Sequence, residues 1–142
     1  MSQIHTYTTV QCRFEDAPRR LYAHLKDGVG TLSLGIAIGD LQIETNVEVR
    51  VREKSTFTGY HMMDIGWKPS TSGPYPEFNG TLTISQDTME WSRLELDGDY
   101  RPPFGLAGSV FDATLGHRIA EATGNQLLAK LAAMLTEPLV LD

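Results

Sequence analysis

The sequence predicts an α+β fold in which a curved antiparallel sheet of about six strands packs around one long C-terminal helix. Two runs with apolar residues at every second position, between Thr31 and Arg52, are joined by only two residues. The chain then ends in a long helical pattern that stops before Pro138. Between these features the order reads strand, short helix, about five antiparallel strands and long helix, all within a single domain over residues 1–142.

Residues 3–14, QIHTYTTVQCRF, place Ile4, Val10, Cys12 and Phe14 on one side of an extended chain and His5, Gln11 and Arg13 on the other, the pattern of a half-buried strand. Asp16 is then positioned to cap a short helix over residues 16–27, with Pro18 in its first turn and Leu21, Tyr22 and Leu25 as its apolar stripe. Gly28 and Gly30 end it.

In the next run Leu32, Leu34, Ile36 and Ile38 alternate with small residues. After Gly39-Asp40, Leu41, Ile43, Val47, Val49 and Val51 alternate with Gln42, Glu44, Glu48, Arg50 and Arg52. This is a hairpin with glycine first in its turn, and the charged side of its second strand faces water. A fourth strand, TFTGYHMMDIGWK, carries Phe57, His61, Met63, Ile65 and Trp67 on one face. PSTSGPYPE is loop chemistry. FNGTLTIS and TMEWSRLEL supply two further strands separated by Gln86-Asp87. The second slips phase between Trp91 and Leu94, which calls for a bulge there or for cover on both faces.

Pro102 and Pro103 forbid further ladder bonding, so the last strand ends there and the chain turns a corner. Ser109 with Asp112 resembles a capping box, and Pro138 sets the far limit of a helix of about 26 residues, roughly 40 Å long. The helix shows two apolar sectors. Phe111, Leu115, Ile119, Ala122, Ala129 and Ala133 form the first; Ala113, Ala120, Gly124, Leu127, Leu128, Leu131 and Leu135 form the second. Either the sheet covers one side and loops or a partner subunit the other, or the small residues Gly116, Ala120 and Gly124 have a purpose of their own. Each interior glycine costs about 1 kcal/mol relative to alanine. Small side chains at this spacing let the helix backbone press on the sheet, or leave an apolar hollow of the kind that takes a ligand.

The run LELDGDYRPPFGLAGSVFDATLGHRIAEATGNQLLAKLAAML, with DIGWKP and YPEFNGTLTIS upstream, resembles bacterial members of the START-like superfamily, also called SRPBCC or Bet v 1-like helix-grip proteins. The resemblance covers residues 60–136, chiefly through Gly98, Tyr100, Pro102, Pro103, Gly105, Asp112, Arg118 and Ala120; the first 50 residues agree in element order alone. It implies a sheet gripping the C-terminal helix around a deep cavity that holds a lipid, sterol, polyketide or other hydrophobic molecule. In some branches that cavity is an aromatase/cyclase active site. The lining expected here is Phe57, His61, Met63, Ile65, Trp67, Trp91, Tyr100, Gly116, Ala120 and Gly124.

Net charge −6 repels a phosphate backbone, so no nucleic-acid partner is expected. No apolar run is long enough to insert in a membrane, no secretory leader is evident, and the single cysteine, Cys12, fits a reducing compartment; the expected location is the cytoplasm. His5, His24, His61 and His117 show no metal-ligand spacing, and no P-loop, nucleophile elbow or dinucleotide fingerprint occurs, so neither metal nor cofactor is expected. His61 is the candidate for acid or base chemistry because it shares a face with apolar residues. Arg101 and Arg118 suit either a ligand's polar head or surface pairs with Asp99 and Glu121, and Tyr60, Tyr75 and Tyr100 suit the edge of an opening. The leading expectation is a carrier of a small hydrophobic molecule. The alternatives are a cyclase- or dehydratase-type enzyme using His61 or a tyrosine, and a homodimeric interaction module using the helix's second apolar sector.

Overall fold

In the computed structural model the order is β1 (Ser2–Val10), α1 (Ala17–His24), β2 (Val29–Ile38), β3 (Leu41–Phe57), β4 (Tyr60–Pro69), β5 (Glu77–Gln86), β6 (Ser92–Arg101) and α2 (Ala113–Thr136). The structure describes residues 2–25, 28–38, 41–57, 59–69, 77–101 and 113–136, with backbone alone at 2, 36, 38, 41, 43, 45, 57 and 113–116. Of the expected loop 69–77, residues 70–76 lie outside those residues, as do the turn Gly39-Asp40, both prolines of the corner, Ser109, Asp112 and Pro138, while Pro69 ends β4 and Glu77 begins β5.

Six antiparallel strands form one sheet in the order β1-β6-β5-β4-β3-β2. Strands β2 to β6 follow one another as hairpins, whereas β1 joins the far side of β6, so the first two strands in sequence are the two margins of the sheet. Helix α2 lies against β1 and β6 at one margin, β2 at the other, and α1. Only a curled sheet brings both margins to one helix.

Glycines permit part of that curl. Gly80 and Gly98 face each other across β5 and β6. A Cβ on Gly80 would run into the carbonyl of Asp97, one on Gly98 into that of Asn79, and either would sit 2.7 Å from Phe78 Cζ. The Phe78 ring therefore covers the backbone that the two glycines leave bare. It also stacks on Trp67 at 4.3 Å between ring centres, with the planes 13° apart.

Period-two alternation sets the inner face as expected. Val47, Val49 and Val51 of β3, Met63, Ile65 and Trp67 of β4, Leu82 and Ile84 of β5, and Leu94 and Leu96 of β6 are all buried. Several boundaries differ from the sequence reading. Strand β1 stops at Val10, where Cys12 N–H donates to the Val10 carbonyl at 2.9 Å and turns the chain toward α1; Cys12 stays buried all the same. Asp16 stands at the N-cap of α1, but its carboxylate goes to Arg19 at 3.1 Å rather than to the helix's own N–H groups. Leu25 is already extended, so α1 is only 8 residues long.

Phe57 does not open the fourth strand. It closes β3 and pairs with Tyr60, and Gly59 just before Tyr60 has φ +87°, a value that suits glycine. The phase slip near Trp91 is not a bulge either. Asp87 and Thr88 both donate to the Trp91 carbonyl at 3.0 Å, closing a longer turn, and β6 pairs without interruption from Ser92 onward. Trp91 is simply outside the strand, 40% exposed. The bulge of this sheet lies in β3, between Glu53 and Ser55.

Among its described side chains, residues 117–136, helix α2 buries one stripe rather than two: Ile119, Ala120, Thr123, Gly124, Leu127, Leu128, Leu131 and Leu135. Ala129 and Ala133 of the first sector are exposed. The second sector, read as a partner surface, is the one this chain covers itself.

Candidate functional site

The residues expected to line a cavity fall into groups rather than one ring. Trp67, Phe78 and Tyr100 are successive partners across β4, β5 and β6 and form a buried aromatic row, with the Tyr100 ring 6.1 Å from the His117 ring. His61 is also inward-facing and buried, but it stands six residues from Trp67 along β4, roughly 20 Å away. Met63 and Ile65 fill the interval and are buried.

Ala120 and Gly124 belong to the buried stripe of α2. A Cβ on Gly124 would lie 3.4 Å from Leu96 Cδ2 and 3.5 Å from Ile4 Cγ2, ordinary contact distances, so β6 and β1 leave room here for a methyl group. With Leu96, Ile4 and Thr6 side chains at contact distance from that methyl, neither use of the small residues is needed at Gly124: alanine would fit, and no ligand-sized hollow opens beneath it. Trp91 takes no part in the inner face. For Phe57 and Gly116 the backbone alone is described, in β3 and in the first turn of α2.

Polar chemistry gathers at the His61 end, and the β3 bulge puts it there. Ahead of the bulge the odd-numbered residues Val49, Val51 and Glu53 share the inner face; beyond it Thr56 is the partner of His61. Two residues three apart normally point to opposite faces of a strand. The extra residue Lys54 reverses the alternation, so Glu53 and Thr56 both meet His61. Thr56 Oγ1 lies 2.8 Å from His61 Nδ1 and donates to Glu53 Oε1 at 3.1 Å. The other ring nitrogen, Nε2, is 3.7 Å from Glu53 Oε1, and it is a buried atom with no hydrogen-bond partner among the described residues.

Tyr22, on α1, completes this end. Its hydroxyl is likewise buried and unpartnered among the described residues. Burial, and then the charge of Glu53, push its pKa above the usual 10.0. Tyr22, Leu25, Gly28, Val51, Arg52 and Glu53 line an open depression of about 510 Å³ between α1 and β3. A larger one, about 660 Å³, lies on the opposite face of the sheet over β3, β4 and β5. Its rim alternates Arg50, Arg52 and Lys68 with Glu48, Asp64 and Glu77, and Arg50 is already held by Glu48 at 2.8 Å. Arg52 and Glu53 compensate one another at the α1 depression as well, so neither size nor charge decides between the two; the α1 depression is the candidate because apolar Leu25 and Val51 and the Tyr22 side chain, with its unpartnered hydroxyl, line it.

Other sequence-derived candidates are dispersed. Tyr60 is 37% exposed, Tyr100 is buried and Tyr75 lies outside the described residues. Arg101 and Arg118 are exposed, and among the described residues neither pairs with Asp99 or Glu121; Glu121 sits 3.4 Å from His117 instead. One described group, His5 with Glu95 and Asp97, has donor atoms within 4.8 Å of one another. Each nitrogen of the His5 ring faces a different carboxylate, Nδ1 toward Asp97 and Nε2 toward Glu95. That is a charged clamp between two strands, since a shared metal needs one nitrogen and both carboxylates to converge on a point. No helix among the described residues is long and apolar enough to cross a membrane.

A curled antiparallel sheet whose two margins meet a C-terminal helix is the helix-grip architecture. No protein-family model matches this sequence, and no curated protein does. Solved structures do match. The Zhui aromatase/cyclase from Streptomyces sp. R1128 is 13% identical over 94% of this chain and 91% of its own, with a TM-score of 0.52. A conserved protein from Geobacillus kaustophilus is 10% identical over 92% of this chain and 93% of its own, with a TM-score of 0.54. At such identities the likeness is one of fold.

Proposed function

We propose that the protein binds a small, mainly apolar molecule on the inner side of the grip, at the end where α1 faces the β3 bulge. The depression there carries the reading. Its volume of about 510 Å³ suits a small organic ligand, and Leu25, Val51 and the Tyr22 ring offer apolar walls beside the charged pair Arg52 and Glu53. The shared fold of a protein titled an aromatase/cyclase supports a small-molecule role. A cyclase- or dehydratase-type reaction on the same ligand is the second reading, favoured because His61 is buried and has Thr56 and Glu53 as polar neighbours.

Titration with naphthalene and with 8-anilinonaphthalene-1-sulfonate, followed by amide and methyl NMR, tests the reading. Saturable shifts centred on Tyr22, Leu25 and Val51 are expected. Absence of binding, or shifts confined to the opposite face around Arg50 and Lys68, would refute it.

A further inference from the structure

We infer that Thr56 is a nucleophile, with His61 as its base and Glu53 as the positioning residue, and that it takes the acyl group of an ester whose alcohol leaves readily, such as a phenyl ester. The three side chains have the arrangement that activates a hydroxyl: an exposed Oγ1, an imidazole within hydrogen-bond reach of it, and a carboxylate beside the imidazole's other nitrogen. The β3 bulge assembles them, because without the extra residue Lys54 the side chains of Glu53 and Thr56 would lie on opposite faces. Thr56 is exposed, so a carbonyl carbon can reach Oγ1. The His61 side chain is 6% exposed and has only to meet Thr56. The chemistry needs no ligand in the α1 depression.

Charge fixes which ring nitrogen holds the hydrogen. Nε2 is buried, and Glu53 Oε1 lies 3.7 Å from it. A lone pair there would face the negative carboxylate, whereas an N–H is drawn to it, so the hydrogen belongs on Nε2. Nδ1, 2.8 Å from Thr56 Oγ1, is then an acceptor. The Thr56 hydroxyl turns about its C–O bond, so its one proton can go to Glu53 Oε1 at 3.1 Å or to Nδ1. As the proton moves to Nδ1, Oγ1 attacks the ester carbonyl. A bond forms from Oγ1 to the carbonyl carbon, the bond from that carbon to the phenol oxygen breaks, and Nδ1 passes the proton to the departing oxygen. The imidazolium formed in between is stabilised by the charge of Glu53. Water then attacks the acyl-threonine and gives one proton to Nδ1, which returns it to Oγ1. The net change is ester and water to carboxylic acid and phenol.

Incubation of the full chain with p-nitrophenyl acetate tests this. An alkyl ester reacts more slowly than a phenyl ester, so acyl-threonine should accumulate. A burst of nitrophenolate approaching one equivalent per chain is expected, and peptide mass spectrometry of the quenched protein should place the acetyl group on Thr56. Thr56→Val should abolish both burst and label, and Thr56→Ser should keep them. His61→Gln should slow acylation about a hundredfold, the contribution of a positioned base. Glu53→Gln should slow it as well while leaving the half-saturating ester concentration unchanged, and Glu53→Asp should recover part of the rate. If His61→Gln does not fold, the Thr56 and Glu53 variants decide the matter. Acetyl groups confined to lysines, or a rate that Thr56→Val or His61→Gln leaves unchanged, overturns the inference, whatever the outcome of the naphthalene titration.

Discussion

Replacing Gly124 with alanine measures how tightly α2 is pressed onto the sheet. The new methyl carbon would sit 3.4 Å from Leu96 Cδ2, 3.5 Å from Ile4 Cγ2 and 3.6 Å from Thr6 Cγ2, all ordinary contacts with the tips of side chains. Nothing has to move, so the helix keeps its seat. Alanine gains about 1 kcal/mol over glycine in a helix interior. Burying one methyl adds up to about 0.8 kcal/mol. Gly124→Ala is therefore expected to stabilise the protein by about 1–2 kcal/mol, seen in urea as a higher midpoint with an unchanged slope and in a thermal melt as a rise of roughly 4 °C per kcal/mol. Binding of naphthalene should not change, because Gly124 faces β1 and β6 and does not line the depression. A loss of stability would refute the packing argument, and a loss of ligand affinity without a loss of stability would place the hollow beneath α2 after all.

At the curl of the sheet the same substitution should have the opposite effect. Gly98→Ala drives a methyl group into the Asn79 carbonyl and to 2.7 Å from Phe78 Cζ, so a destabilisation of about 3 kcal/mol is expected in the same denaturation assay, and a neutral result would contradict the close approach of β5 and β6. On the outer face, the hydrogen bond to Asp97 and then that carboxylate's charge raise the pKa of His5 above 6.5. A raised folded-state pKa means that the clamp's contribution is complete below pH 6.5 and is lost as pH climbs through the folded value. With the ring 57% exposed, that contribution is small and weakened by salt. Asp97→Asn should return the ring's NMR titration toward the ordinary value, and an unmoved midpoint would refute the clamp.

Period-two alternation made the inner faces of β3 and β4 legible, since Val47, Val49 and Val51 and then His61, Met63, Ile65 and Trp67 each recur on one side. The resemblance in the second half of the chain supplied the grip itself. Glu53 and Thr56 stayed hidden because a bulge belongs to a pair of strands, and only the register of β3 against β4 shows that Lys54 is the extra residue. The polar run from Arg52 to Thr56 was the available signal, and in isolation it reads as a strand fading into solvent. Phe57 was misplaced because β3 and β4 meet between it and Tyr60, where Gly59 is the one break signal, inside a stretch rich in strand-forming residues. On α2, alanine counts as apolar in any helical projection, yet Ala129 and Ala133 bury too little surface to hold a second face.

The pairing of the outermost strands also sets an order of events during synthesis. His5 waits for Asp97, 92 residues later, before β1 has a neighbour at all, whereas β2 to β5 can close as hairpins while the chain is still emerging. At ordinary ribosomal speeds that wait is on the order of ten seconds. Ile4 and Val10 spend it without the core that later covers them. Of the six strands, β1 is thus the one that waits longest, in sequence distance, for its partner.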